Sequence, residues 1–294
     1  MAPPPTPPAP PPSGKPTGAC WTDGRFVEPG QPSILADDHA VVTGDGVFET
    51  MKVVGGTPFA LTRHLRRLEN SAAGLGIPAV GERRVRAAVD EVLAADPTAG
   101  LLRITWSSGS GPLGSARGGG NGTLVVATSA GNDWPPAEAV HLVEWRRNEH
   151  GALTGLKTTS YAENALALAT AKRAGCSEAI FRNVAGDLCE GTGTNLFLVV
   201  GGVPTTPPLS SGCLAGVTRE LLLEALHDEV EVRDLAPDEL HAADEAFLTS
   251  STRNVSPISA VTGVVEVTFD PAPGPVTSRA MEAFASVEAA SMDP

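Results

Sequence analysis

A lysine, a glutamate and a helix start divide the possible chemistry of this chain among three short segments. Lys157 lies in G-L-K-T-T-S-Y, just ahead of a largely apolar helical pattern. Glu190 follows 33 residues later in L-C-E-G-T-G-T-N-L-F, at the end of a strand-like run. Leu214 then opens L-A-G-V-T-R, where Gly216, Val217 and Thr218 begin another helix. An amine in an apolar setting is held neutral more easily and can condense with an aldehyde. A carboxylate beside a ring nitrogen keeps it protonated, so that the ring can accept the electrons of a carbanion. Free N–H groups at a helix start, with a hydroxyl beside them, hold an anion. Each segment also has a plainer reading. Lysine and glutamate are usually solvated surface charges, and Gly-Val-Thr is also an ordinary helix start.

The elements that would position these residues can be read from periodicity. Arg25–Glu28 reads as a short strand, and Val47–Val54 as a longer one with β-branched residues. Gly55-Gly56 is a hairpin turn, with Pro58–Leu61 as the returning strand. Leu61, Leu65, Leu68 and Ala72 recur at helical spacing, predicting a helix over Thr62–Leu75; a second is expected at Glu82–Ala95. Leu101–Trp106 and Thr123–Thr128 read as strands around a Gly/Ser-rich loop, Ser107–Gly122. Gly131-Asn132-Asp133 and Pro135-Pro136 mark a link. Beyond it, strands are expected at Val140–Trp145, Glu178–Phe181, Leu188–Glu190, Leu196–Val200 and Glu245–Thr249. Helices are expected at Ala162–Ala174, Thr218–His227 and Arg279–Ala289. The fold class is α+β, with a small domain at 18–131 and a larger one at 132–294.

Composition narrows the partners. With 294 residues the chain can bury a sizeable core. A net charge of −13 argues against nucleic acid or an anionic membrane surface, so an anionic ligand must be held by local cations. No apolar run reaches the ~20 residues of a membrane span. Cys20, Cys176, Cys189 and Cys213 lie far apart without a C-x-x-C pair, and the histidines show no metal spacing. Reduced cysteines in the cytoplasm are the simpler reading. Residues 1–17 are dominated by proline, which favours extended polyproline II and cannot pack a core. They read as a disordered extension or as a docking segment for a proline-recognising partner.

The wording around Lys157, Glu190 and Thr218 resembles the fold-type IV pyridoxal-phosphate enzymes, and the resemblance runs from about Ala36 onward. That superfamily holds branched-chain aminotransferases, D-amino acid aminotransferases and 4-amino-4-deoxychorismate lyases. E-G-T-G-T-N-L-F is similar to its E-G-x-x-x-N-[LV]-F, and G-D-G-V-F-E-T at Gly44–Thr50 to its G-D-G-x-F-E-T strand. Trp145, Arg146, Arg147 and Asn148 supply the strand end that precedes its lysine. The resemblance implies two α/β domains with pyridoxal 5'-phosphate at their interface and a homodimer that completes the site. It makes Lys157 the covalent attachment point and catalytic base, and Glu190 the partner of the ring nitrogen. Val217, Thr218, Ser250 and Ser251 become phosphate contacts. Arg63, in L-T-R-H-L-R-R-L, becomes the phosphate arginine, with Arg66 and Arg67 as neighbours that could replace it. Tyr161, the only tyrosine, is implied near the cofactor's phenolic oxygen, although branched-chain aminotransferases carry theirs one position later.

The cofactor does not choose the reaction. D-amino acid aminotransferases carry an Arg-x-His carboxylate trap after the strand matching Leu101–Trp106, and Trp106–Gly114 has none. A glycine-rich run there looks more like the aminodeoxychorismate lyases. The expected reaction is therefore release of 4-aminobenzoate and pyruvate from 4-amino-4-deoxychorismate, with Arg103, Arg117 and Arg253 as candidates for its carboxylates. An aminotransferase acting on branched-chain or D-amino acids is the alternative, and a catalytically silent binding protein a third reading.

Overall fold

The structure, a computed structural model, describes residues 18–28 and 31–294. The proline-rich segment 1–17 therefore lies outside the described residues, and so do both readings of it. Among the described residues the strands form two sheets. The first contains β1 (Cys20–Thr22), β2 (Arg25–Phe26), β3 (Gly46–Val54), β4 (Thr57–Pro58), β5 (Leu101–Ser107) and β6 (Leu124–Ser129). Their order is β2-β1-β6-β5-β3-β4, with every pair antiparallel. Helix α1 (His39–Val42) precedes β3, while α2 (Leu61–Leu75) and α3 (Glu82–Ala95) join the apolar core of this sheet.

Strand alternation decides what each face of this sheet does. Val47, Met51 and Val53 of β3, with Leu102, Ile104 and Trp106 of β5, pack with Leu65, Leu68, Val85 and Val92 of the helices. The residues between them, Phe48, Thr50, Leu101 and Arg103, line a cavity instead. The β-branched and aromatic content of β3 thus serves a core on one side and a site wall on the other.

The second sheet contains β7 (Glu138–Arg147), β8 (Glu178–Asn183), β9 (Leu188–Gly191), β10 (Asn195–Val200), β11 (Val203–Thr206), β12 (Glu231–Val232), β13 (Glu245–Ser250), β14 (Asn254–Gly263) and β15 (Val267–Thr268). Strand β7 runs parallel to both β14 and β8. Strand β9 pairs back to β10 where Glu190 faces Asn195, so the path β10-β13-β14-β7-β8-β9 closes on itself. Helices α4 (Ala162–Arg173), α5 (Val217–Leu226), α6 (Glu239–Ala242) and α7 (Pro275–Ala290) accompany it.

The fold is α+β, as expected, with differences that have local causes. The returning strand ends at Pro58 instead of Leu61, because Ala60 adopts a left-handed backbone (φ 56°) and α2 starts at once. Strand β14 is absent from the periodicity reading; its polar residues Ser256, Ser259 and Thr262 are satisfied by the neighbouring strand β7. Helix α7 begins at Pro275, four residues early, since proline suits the first turn of a helix.

Candidate active site

The lysine segment is welded to the first sheet by backbone hydrogen bonds. Phe48 N–H donates to Lys157 O (3.0 Å), and Thr159 N–H donates to Gly46 O (2.7 Å). Val47 and Thr158 form an isolated antiparallel bridge. The approach is close enough to require glycine at position 46. A Cβ there would lie 2.9 Å from Trp106 O and 3.1 Å from Thr159 Oγ1. Crowding by β5 on one side and the lysine segment on the other therefore explains the second glycine of the G-D-G text.

Lys157 Nζ lies 4.3 Å from the Phe48 ring centroid and 5.5 Å from that of Tyr161. Among the described residues it has no hydrogen-bond acceptor. Burial, joined by the charges of Arg67 and Arg103, lowers its pKa to about 8, against the opposing pull of Glu49 and Glu190. A substantial share of the amine is then neutral near physiological pH. Tyr161 packs edge-on against Phe48 at 5.1 Å. Burial and the Glu190 charge push its hydroxyl up to about 12, so it remains a hydrogen-bond donor.

Glu190 stands at the end of β9. Its carboxylate accepts from Arg147 Nη1 and from the Leu214 N–H, each at 2.9 Å. Burial raises its pKa above the usual carboxylate range, while Arg147 opposes that rise. Arg147 is fixed in turn by Asn164 Oδ1 at 3.1 Å and lies over the Phe181 ring. Sequence reasoning used Arg147 only as part of a strand-end match and missed this role.

The third group gathers at the start of α5. No side chain caps this helix, so the N–H groups of its first turn look toward the cavity that Gly216, Val217 and Thr218 line. Gly216 cannot carry a side chain, because a Cβ would fall 2.0 Å from Asn195 Oδ1. Thr249, Ser250 and Ser251, at the β13 end, line the same cavity, as do Thr194 and Glu178. The Oγ1 atoms of Thr249 and Thr194 are buried without a hydrogen-bond partner. Orphaned hydroxyls, an uncapped helix start and an amine without an acceptor, around about 690 Å³, are the donor set of a phosphate-bearing cofactor.

The arginines divide. Arg63 does not line the cavity; this corrects the expected phosphate contact. It sits in the first turn of α2, where it pairs with Glu224 (2.8 Å) and Glu220 (3.0 Å) and donates to Pro294 O. Arg67, one turn further along α2, lines the cavity. Its guanidinium grips buried Glu49 through Nε (2.8 Å) and Nη2 (2.6 Å) and donates to Ala215 O beside α5. Burial alone would raise the Glu49 pKa, but Arg67 and His64 hold it down at about 2. The L-T-R-H-L-R-R-L text offered three arginines, and only the packing of α2 distinguishes them.

Arg117 also lies away from the cavity, bound bidentately to Asp45 at 2.6 Å and to the carbonyls of Leu75 and Gly76. No residue of the loop 107–122 lines the cavity. Arg253 does line it, but its charge is engaged by Glu178 (2.6 Å) and Glu138 (3.3 Å), and it stacks on Trp134. Arg103 lines the cavity above the Phe48 ring, with one 3.3 Å bond to Thr50 Oγ1. All four cysteines are free thiols, and no helix among the described residues is long and apolar enough to cross a membrane.

A profile of the amino-transferase class IV family matches residues 46–261, a span that holds every cavity element named above. The chain belongs to this family. Class IV members use pyridoxal 5'-phosphate. A bifunctional aminodeoxychorismate lyase / D-amino acid transaminase of Mycobacterium tuberculosis is 30% identical over 260 residues, 78% of this chain and 86% of its own. The 4-amino-4-deoxychorismate lyase of Pseudomonas aeruginosa superposes with a TM-score of 0.80 at 29% identity, covering 91% of this chain and 98% of that one. The T.th. branched-chain amino acid aminotransferase, complexed with N-(5'-phosphopyridoxyl)-L-glutamate, gives a TM-score of 0.81 at 27% identity, covering 92% and 93%. Similarity of this grade to both lyases and aminotransferases assigns the class IV family and leaves the reaction open.

Proposed function

We propose that this class IV enzyme binds pyridoxal 5'-phosphate between a unit at 18–131 and a unit at 132–294, and converts 4-amino-4-deoxychorismate to 4-aminobenzoate and pyruvate. The observation that carries the reading is the cavity. Lys157, Glu190 and the α5 start converge on it, and among the described residues no histidine lines it, so it offers no arginine–histidine clamp for a small amino acid. Arg103 and Arg146 are its wall arginines without a carboxylate partner among the described residues, which suits a substrate with two carboxylates.

When bound, the cofactor supplies an aldehyde that takes up the substrate amine and a ring that takes up electrons. The chain's own groups do the rest. Thr218, Ser250, Ser251, the Val217 and Thr218 N–H groups and Arg67, in place of Arg63, hold the phosphate. Glu190, oriented by Arg147 and the Leu214 N–H, holds the proton on the ring nitrogen. The Tyr161 hydroxyl donates to the phenolic oxygen. The Lys157 amine, with its pKa near 8, takes the proton from the carbon bearing the substrate amine. The C–O bond to the enolpyruvyl group then breaks, the ring becomes aromatic, and the released group gains a proton to leave as pyruvate. The reading carries with it cytoplasmic work with reduced thiols and a homodimer whose second subunit completes the site; an active monomer in light scattering at assay concentration would contradict that assembly.

Transamination of a branched-chain or D-amino acid is the second reading, favoured by the transaminases among the similar proteins. One assay separates the two. Purified protein receives enzymatically generated aminodeoxychorismate without any keto acid. Equimolar pyruvate and 4-aminobenzoate support the lyase. Neither product, together with rapid conversion of the cofactor to its amine form by valine, leucine, isoleucine, D-alanine or D-glutamate, replaces it with the aminotransferase.

A further inference from the structure

Behind Ser251, one of the expected phosphate contacts, a buried histidine and glutamate continue a chain of three groups, and the proposed chemistry gives His64 no part. Ser251 Oγ, on the cavity wall, is 3.2 Å from His64 Nε2. His64 Nδ1 is 2.6 Å from Glu49 Oε2, and both side chains are fully buried. The chain bridges the two sheets, with Glu49 on β3, His64 on α2 and Ser251 at the end of β13. The groups facing His64 are Glu49 from β3, Arg67 from its own helix, Lys157 from the lysine segment and Ser251.

The tautomer decides what Ser251 can offer. Glu49 is an acceptor only, so His64 Nδ1 carries the proton. In neutral His64, Nε2 is then an acceptor and takes the Ser251 hydroxyl proton. Ser251 Oγ turns only lone pairs toward the cavity, which oppose a phosphate dianion. In protonated His64, Nε2–H donates to Ser251 Oγ, and the hydroxyl proton is released to point at the ligand. Burial, Arg67 and Lys157 hold the His64 pKa below its ordinary value, against the pull of Glu49. A bound dianion works in the opposite direction.

We infer that His64 is a positioning residue that sets the donor direction of the Ser251 hydroxyl, so that phosphate binding takes up a proton at His64. The inference rests on the reading of Ser250 and Ser251 as phosphate contacts. By linkage, affinity for the phosphate falls as pH rises through the His64 pKa of the complex.

The test uses 4'-deoxypyridoxine 5'-phosphate, which keeps ring and phosphate but has no aldehyde for Lys157. Its dissociation constant is measured by equilibrium dialysis at pH 5.5 and pH 9, a span over which the phosphate's own titration is common to every arm, in the wild type, Ser251→Ala and His64→Gln. The effect of Lys157 titration is common to all three and cancels in the comparison. A hydrogen bond to a charged phosphate contributes about tenfold in affinity. Wild type is therefore expected to lose about five- to tenfold more affinity between the two pH values than Ser251→Ala. His64→Gln turns its amide N–H to acceptor-only Glu49 and its Oε1 to Ser251, the polarity of neutral His64, and is expected to show a shallow dependence with weak binding at both pH values. Equal pH ratios in wild type and Ser251→Ala would overturn the inference while leaving the phosphate site in place. Failure of all three proteins to bind the probe would instead overturn the cofactor-site reading beneath it.

Discussion

The lysine segment and the loop 107–122 are both glycine-flanked, both carry a cation expected in the site, and both touch β3 or its turn. Only one reaches the cavity. Lys157 arrives there because its carbonyl accepts from Phe48 N–H while Thr159 N–H donates to Gly46 O, a strand register that leaves the side chain one direction to take. The loop is tied to α1, to the turn before β3 and to the end of α2, outside the cavity. Asp38 holds Ser107 and Thr123, Asp45 binds Arg117, and His39 reaches Pro112 O. Backbone pairing therefore fixes the groups that handle a cofactor, whereas the loop's one cation anchors it to Asp45 and the end of α2 and its glycines serve the loop's own shape. Room for a ring-bearing substrate is a property of the cavity and not of those glycines.

The largest expected effect of a single substitution that tests this contrast is at Glu190. Glu190→Gln keeps the size and loses the charge at the ring nitrogen. Turnover should fall roughly a hundredfold or more, with cofactor affinity changing far less because the phosphate contacts remain. Steady-state kinetics beside a cofactor titration checks this, and near-normal turnover removes Glu190 from the mechanism.

The two arginines of α2 come next. Arg67→Ala should weaken cofactor binding about tenfold to a hundredfold, the range of a charge-assisted hydrogen bond. Arg63→Ala breaks pairs with half-exposed Glu220 and Glu224 and should change binding by less than about threefold. Equilibrium dialysis of both variants decides, and the reverse order would return the phosphate to Arg63.

A pH series sharpens the account of Lys157. Condensation with an aldehyde needs the neutral amine, whose share rises from about a tenth at pH 7 to about half at pH 8. The rate of cofactor loading, followed by visible absorbance, should rise about fivefold over that interval and level off above pH 9. A rate still climbing steeply at pH 10 would mean an unshifted lysine. The smallest effect on the site belongs to the loop. Arg117→Ala removes a partly buried bidentate pair with Asp45 and two carbonyl hydrogen bonds and should cost about 1–3 kcal/mol, read from the unfolding midpoint, with cofactor affinity unchanged. Lost cofactor binding in that variant would place the loop in the site after all.

What the sequence made legible follows the same division. Lys157, Glu190 and the start of α5 stood out because tight contacts leave no room for a Cβ at 46, 191 and 216, and those glycines leave a written motif. Arg67 was not separable from Arg63, since residues four apart on a helix share a face and only the turn on which each sits decides its partner. Glu49 and His64 passed as strand and helix residues; their roles come from a burial that neither neighbouring text announces. Strand β14 escaped because its polar residues bond to β7, which periodicity along the chain cannot foresee.

The central claim is that this cavity holds pyridoxal 5'-phosphate on Lys157. Purified protein loaded with the cofactor and reduced with borohydride, then digested and sequenced by mass spectrometry, tests it most directly. The account predicts a bleached visible band and a single phosphopyridoxyl adduct on the peptide containing Lys157, absent from Lys157→Ala. A protein that stays colourless in excess cofactor, or an adduct spread over Lys52, Lys172 and other lysines with none on Lys157, would contradict it.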